Sequence, residues 1–576
     1  MVSLNRGKQR RLRFLTLCFF SALILLIVQT VMNVKDVNDG WILEGIWPYF
    51  LLFALSYGGI VGFSSNLKLI AIASGIYISA INLLPNAKYV FIYGYHDPLL
   101  HYASIRDTTI LGHAVGTGPY ATQYGGTPGM HIMTSMLSTA TGMDTNIAMK
   151  TFIIAAPFVI PLMIYMVATR ISLPLGLAKA TIASVAIIFP VTYTYYGASV
   201  IYPVYVLFVY SFLLVAILEG SSRSRVAITI LLGVAILGSH DVTSLVLLVY
   251  MLSFLFAAKT PAKLRDMVSV HLSLPLMLLF VVMIAGHFLF SSLENFGRFL
   301  SLGSELLSKL LLGQGPAALS QYEALYTMSR LDIIRVFLAR YGKDIVSILL
   351  ISLAPLAYLK LPLSRKSRVF YKSLVLPIFF AATMFIGLLF LRPAVHREFY
   401  IYSFLPFLGG LSVYYLFYLK PRFKKTLILL SICAFAALSC LATYPLQPLV
   451  PTVSTMQSTY YVYDMRAVNT IYDRSLISFV STHNDRLLVW ADGIMVTEIY
   501  GLTSSSFLSL LEGNPNKSHI LLISHTEHAH AIPSGRNALA NEMYLQQCLQ
   551  NASILYNNGF SYAFLNASTI TGRNQR

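Results

Sequence analysis

Charge is what this chain has least of. Only 11% of its 576 residues are Asp, Glu, Lys or Arg, where a soluble domain carries about a quarter. So few charges cannot cover the surface of a water-soluble fold of this length, which excludes a cytosolic enzyme. A hydrophobic share of 56% likewise excludes a disordered or collagen-like chain. Cysteine is nearly as scarce: Cys18, Cys433 and Cys440 lie in apolar runs and only Cys548 in a polar stretch, so there is no disulfide framework and no zinc spacing. Long stretches of alternating polar and apolar residues are missing too, which argues against a membrane barrel. The composition that is left is that of a polytopic helical membrane protein.

What is present is a succession of apolar runs. Arg6, Lys8, Arg10, Arg11 and Arg13 precede the first, which reaches about Val34. No small-x-small cleavage site closes it, so a retained helix is expected rather than a signal peptide. Runs of spanning length follow at 46–64, 67–84, 147–169, 177–193, 200–218, 225–238, 242–257, 267–290, 345–360, 373–391, 399–418 and 425–443, giving about thirteen transmembrane helices. The formal charge of +18 is distributed unevenly. With the N-terminus in the cytoplasm, the inner segments 1–13, 64–68, 170–179, 219–225, 258–266, 360–372 and 420–425 hold 22 Lys and Arg against only Glu219 and Asp266. The excess therefore follows the positive-inside rule and does not point to nucleic acid.

This orientation divides the chain into N-terminal transmembrane helices (1–85), a first large outer loop (86–146), a transmembrane core with a second outer loop at 291–344 (147–443), and an extracytoplasmic region (444–576). The last region mixes strand-like runs, Leu487–Trp490 and His519–Ile523, with a helix-like run, Asn537–Asn551, and reads as a small α/β domain. It has no Gly-rich phosphate loop, so a nucleotide site there is not expected. Its three sequons, at Asn516, Asn551 and Asn566, suit an extracytoplasmic position.

The first outer loop carries the densest polar pattern. It reads Tyr95-His-Asp-Pro-Leu-Leu-His-Tyr-Ala-Ser-Ile-Arg-Asp107, then a Gly-rich link, then Gly126-Thr-Pro-Gly-Met-His131. Asp97-Pro98 and Thr127-Pro128 each suit a helix start, and Gly142 suits a helix end. Both helices are moderately apolar and are expected to lie in the membrane interface. An acid opening the first outer loop, followed by two interfacial helices and a span, resembles the first outer loop of GT-C glycosyltransferases, membrane enzymes that use polyprenyl-phosphate sugars; protein O-mannosyltransferases and aminoarabinose transferases are members. The matching residues are Asp97, Tyr102-Ala103-Ser104-Ile105 and Thr127-Pro128-Gly129-Met130-His131.

The resemblance implies a GT-C-like all-α bundle with an outer terminal domain, and Asp97 as the base that takes the acceptor's hydroxyl proton, with His96 assisting. Asp97 has a second reading as a helix cap only. In Gly238-Ser-His-Asp-Val-Thr-Ser-Leu245, His240 and Asp241 sit in an outer turn at membrane depth, where an ionisable pair is expensive. They would orient the acceptor or, with His131, hold a divalent cation such as Mg or Mn; the plainer reading is a capped turn. In Leu391-Arg-Pro-Ala-Val-His-Arg-Glu398, Arg397, with Arg392 and His396 as helpers, suits a lipid phosphate through bidentate hydrogen bonds; an Arg397–Glu398 or headgroup contact is the alternative. His525-Thr-Glu-His-Ala-His530 lacks the helical pair of metal-ligand spacing and reads as a solvated loop.

The pattern also departs from the family. No acid stands in the turn Tyr195–Ser199, and no Trp-Trp-Asp element is present, which separates the chain from the oligosaccharyltransferase catalytic subunit. The expectation is an inverting glycosyltransferase of the cell membrane, moving a sugar from a polyprenyl-phosphate carrier to a lipid-linked glycan, glycolipid or protein at the extracytoplasmic face. The rivals are a transporter or flippase of lipid-linked glycans, which would show internal repeats, and an assembly protein working through residues 444–576.

Overall fold

A computed structural model describes residues 2–32, 47–88, 97–114, 128–195, 211, 223–239, 247–253, 274–291, 293–312, 352–375, 377–379 and 404–419, with five strands between 488 and 565. The described part is largely helical: α1 Val2–Met32, α2 Trp47–Phe63, α3 Leu67–Lys88, α4 Asp97–Leu111, α5 Gly129–Thr141, α6 Thr145–Arg170, α7 Leu175–Tyr195, α8 Arg223–Leu237, α9 Leu274–Gly286, α10 Leu293–Leu311, α11 Arg365–Ser373 and α12 Leu405–Leu419. Residues 247–253 and 352–360 are helical as well. Among the described residues, Gln9–Thr30 and Thr145–Arg170 are each long and apolar enough to cross a membrane, and six shorter apolar helices accompany them.

Helix α1 shows how sequence becomes packing. Phe19, Ala22, Leu26 and Thr30 recur at helical spacing and are buried, while Phe14, Leu17, Ile24, Val28 and Met32 are exposed on the other side. Its 31 residues would run about 46 Å, longer than the roughly 30 Å hydrocarbon layer. The basic first turns therefore continue the helix beyond the layer. An aromatic ladder joins α1, α2 and α3: Phe19 stacks on Phe53 at 4.5 Å, Phe53 on Tyr77 at 5.1 Å, and Tyr77 on Tyr57 at 4.7 Å. The Tyr57 and Ser74 hydroxyls share a hydrogen bond of 2.7 Å.

The remaining contacts use small residues for close approach, as membrane helices do. A Cβ on Gly75 would meet the Phe158 carbonyl of α6 at 2.6 Å, and one on Gly410 of α12 would meet the Thr181 nitrogen of α7 at 2.6 Å. Ser184 on α7 adds a hydrogen bond to the Pro406 carbonyl, 2.8 Å. Within the run 267–290, the described residues form α9 followed by a π-helical turn, His287–Ser291, which leads into α10. The basic segment 360–372, expected as a loop, contains α11, capped by Ser364, whose hydroxyl accepts from the Ser367 N–H.

In the C-terminal region the described strands form one mixed sheet in the order β2-β1-β3-β5-β4: β1 Leu488–Trp490, β2 Ser504–Ser505, β3 His519–Ile523, β4 Ser553–Asn557 and β5 Tyr562–Leu565. β1 is parallel to β2 and β3, whereas β3–β5 and β4–β5 are antiparallel. The helix-like run 537–551 lies outside the described residues.

Candidate active site

Asp97 is the first residue of α4, immediately before Pro98, which is tolerated there because a first-turn N–H has no intrahelical acceptor. One turn on comes His101, then Ile105 and Thr108, all buried and all on one face. Helix α5 presents Met130, His131, Thr134, Ser135 and Ser138 as its buried face. It is preceded by Pro128 in the cap position, and Gly142 ends it with φ +69°, a left-handed conformation that costs glycine nothing.

The two faces meet through polar atoms. His101 Nδ1 and His131 Nε2 lie 2.8 Å apart, both rings buried, and the Thr109 and Ser135 hydroxyls share a hydrogen bond of 3.0 Å. The threonine hydroxyls bond within their own helices: Thr108 on Ser104, Thr109 on Ile105, Thr134 on Met130 and Thr141 on Leu137, each bonding to the carbonyl one turn back. Arg106 pairs with neighbouring Asp107 at 3.1 Å. Desolvation by burial lowers the His131 pKa to about 4, so the ring is neutral near pH 7. In a neutral pair one ring donates N–H and the other accepts, and which does which depends on the tautomer.

The start of α5 is also fixed to the end of α8. The Gly129 N–H donates to the Gly238 carbonyl at 2.6 Å. A Cβ at Gly129 would meet that oxygen and the Ser239 hydroxyl, each at 2.8 Å, so glycine is what permits the approach. Ser239 turns its hydroxyl back onto the Ala235 carbonyl, 2.6 Å. Gly238-Ser239 directly precede His240-Asp241 in the chain. Near its start, α5 thus holds His101 of α4 through His131 and the closing turn of α8 through Gly129.

Of the residues expected from sequence, Asp97 is described as the opening of α4 and His131 as a buried ring on α5. His96, His240, Asp241, Arg392, His396 and Arg397 lie outside the described residues. Sequence reading missed His101 as a site residue, although the signal existed: Asp97 and His101 are one helical turn apart in a helix whose start was recognised. Among the described residues no group of three or more His, Cys, Asp or Glu could hold a metal ion. The His101 and His131 nitrogens are directed at each other, so as placed they do not form a centre.

No family model and no curated protein matches the chain. Among solved structures it is similar to ArnT from Cupriavidus metallidurans in the apo state, 12% identical with a TM-score of 0.47, over 87% of this chain and 98% of that one. The same protein bound to undecaprenyl phosphate is 12% identical with a TM-score of 0.47, over 88% and 98%. The Archaeoglobus fulgidus oligosaccharyltransferase complex with zinc and sulfate is 13% identical with a TM-score of 0.46, over 87% of this chain and 73% of that one.

Proposed function

We propose that the chain is a membrane glycosyltransferase that moves a sugar from a polyprenyl phosphate to a lipid-linked glycan, glycolipid or protein acceptor at the extracytoplasmic face. One observation carries this reading: the meeting of α4, α5 and the end of α8, secured by the His101–His131 and Gly129–Gly238 hydrogen bonds. It ties together α4, which begins at Asp97, α5, which carries His131, and the closing turn of α8, after which His240-Asp241 follow in the sequence.

In the proposed reaction Asp97 accepts the acceptor's hydroxyl proton as the oxygen attacks the anomeric carbon. The new glycosidic C–O bond forms while the bond to the carrier phosphate breaks, and the sugar inverts. The phosphate leaves as an anion, with Arg397, Arg392 and His396 as its cationic hydrogen-bond donors. His240 and Asp241 orient the acceptor. If a divalent cation takes part, Asp241 and His240, with His131, would hold it, and the ion would offset the negative charge of the leaving phosphate. The N-terminus lies in the cytoplasm and residues 444–576 lie outside as an α/β domain.

The test is sugar transfer by protein reconstituted in lipid, offered a panel of polyprenyl-phosphate monosaccharides and a crude acceptor extract, with Asp97→Asn alongside. Loss of a general base should cost about 10²–10⁴-fold in rate, with the fold retained. Undiminished transfer by Asp97→Asn would move the base elsewhere. Donor binding without transfer from any donor would favour the flippase reading.

A further inference from the structure

Helix α11 carries a second surface, far along the chain from the loop that holds Asp97. Ser367, Phe370, Tyr371 and Leu374 recur one helical turn apart and are buried. They dock on the bundle: Ser367 donates to the Ile171 carbonyl at the end of α6 at 3.0 Å, and Tyr371 to the Phe407 carbonyl of α12 at 3.4 Å. The opposite face is exposed and changes character along its length. Arg368 and Lys372 are exposed cations. Val375 and Phe379 follow, 62% and 69% exposed. The Ile378 N–H bonds to the Leu374 carbonyl at 3.0 Å, so helical geometry continues past Ser373. Positions 368, 372, 375 and 379 are spaced i, i+4, i+7 and i+11, which puts all four in one narrow stripe.

The helical segment 352–360 on the other side of the bend repeats the order in reverse. Exposed Leu356 and Leu359 lead to exposed Lys360. On both flanks of the bend, apolar exposed residues give way to cations as the chain nears residues 361–364. Residues 352–379 contain no Asp or Glu, so nothing acidic in this segment neutralises the cations. Cations at one level and exposed apolar side chains directly beyond them match the two parts of an anionic phospholipid, its phosphate and its acyl chain.

We propose that the stripe Arg368–Lys372–Val375–Phe379 is a binding surface for an anionic phospholipid of the inner leaflet, with the headgroup phosphate at the two cations and the acyl chain along the two apolar residues. The inner-leaflet assignment rests on the proposed orientation of the chain. The lipid preference does not.

The test uses the full chain purified in neutral detergent, with phosphatidylglycerol, phosphatidylcholine or inorganic phosphate as probes. Retained lipid is read by native mass spectrometry and stabilisation by thermal unfolding. Phosphatidylglycerol should bind and raise the melting temperature, and the other two should not. R368Q with K372Q should weaken phosphatidylglycerol binding roughly tenfold or more, whereas the charge-conserving R368K with K372R should keep it. Equal binding of both phospholipids, an equal effect of inorganic phosphate, or phosphatidylglycerol binding unchanged by R368Q with K372Q would overturn the proposal. Orientation is tested separately, with Lys372→Cys in a cysteine-free chain and an impermeant thiol reagent. Labelling only after cells are permeabilised is expected; labelling of intact cells would overturn the inner-leaflet assignment while leaving the lipid preference to the binding data.

Discussion

At the scale of single residues, the buried His101–His131 hydrogen bond makes the sharpest demands. Replacing His101 by Leu removes one partner and leaves a polar His131 ring in an apolar setting, which should cost about 1–3 kcal/mol. Asn at 101 can place an amide near the Nδ1 position, so His101→Asn should unfold at a higher temperature than His101→Leu. Thermal unfolding in one detergent compares them. The pH dependence has a definite sign. The folded pKa of His131, about 4, lies below its ordinary 6.5, so the unfolded state binds the proton more readily and stability rises with pH. The melting temperature should therefore fall as pH drops from about 6.5 towards 4, and His131→Gln should flatten that part of the curve. In the sequence, His101 stands one helical turn after Asp97 in the expected helix, with nothing to show what it meets. Its importance comes from a partner thirty residues away, and no local pattern encodes that pairing. Asp97 was legible because an acid followed by proline has a recognisable helix-starting role.

At the scale of elements, the junction between α5 and α8 is written in the main chain. Gly129→Ala would push a methyl group into the Gly238 carbonyl and the Ser239 hydroxyl. Overpacking of this kind costs about 1–3 kcal/mol. The displacement is directed at the turn that precedes His240-Asp241, so the variant should lose transfer activity by a larger factor than its modest drop in melting temperature suggests; both are measured on one preparation. Helix ends at glycine and proline were legible from sequence, as Gly142 illustrates. Helix α11 was not, because its Lys and Arg content read as a cytoplasmic loop. Its signal was the buried set Ser367, Phe370, Tyr371 and Leu374 following a Ser364 cap, a pattern shorter than a span and hidden among charges. The π-helical turn after α9 has no sequence signature of its own, since the same apolar residues suit an unbroken α-helix.

At the scale of the whole molecule, the apolar runs located the described helices well, because a long apolar stretch has few ways to satisfy its backbone other than helix. α2, α3, α6, α7, α8 and α12 all fall on expected runs. Which helices touch was not legible, since glycines such as Gly75 and Gly410 name no partner until the backbones approach. One feature of the α4–α5 pair bears on how the molecule sits in its solvent. The hydroxyls of Thr108, Thr109, Thr134 and Thr141 return to carbonyls of their own helices. Each therefore carries its hydrogen-bond acceptor with it and asks little of water. Such a pair can ride at different depths in the boundary between headgroups and hydrocarbon without stranding a donor. Transfer activity in vesicles whose acyl chains differ by a few carbons should then vary only a few-fold. The α4–α5 pair, fixed to the end of α8 by the Gly129–Gly238 hydrogen bond, would move with that helix as the membrane helices adjust by tilting.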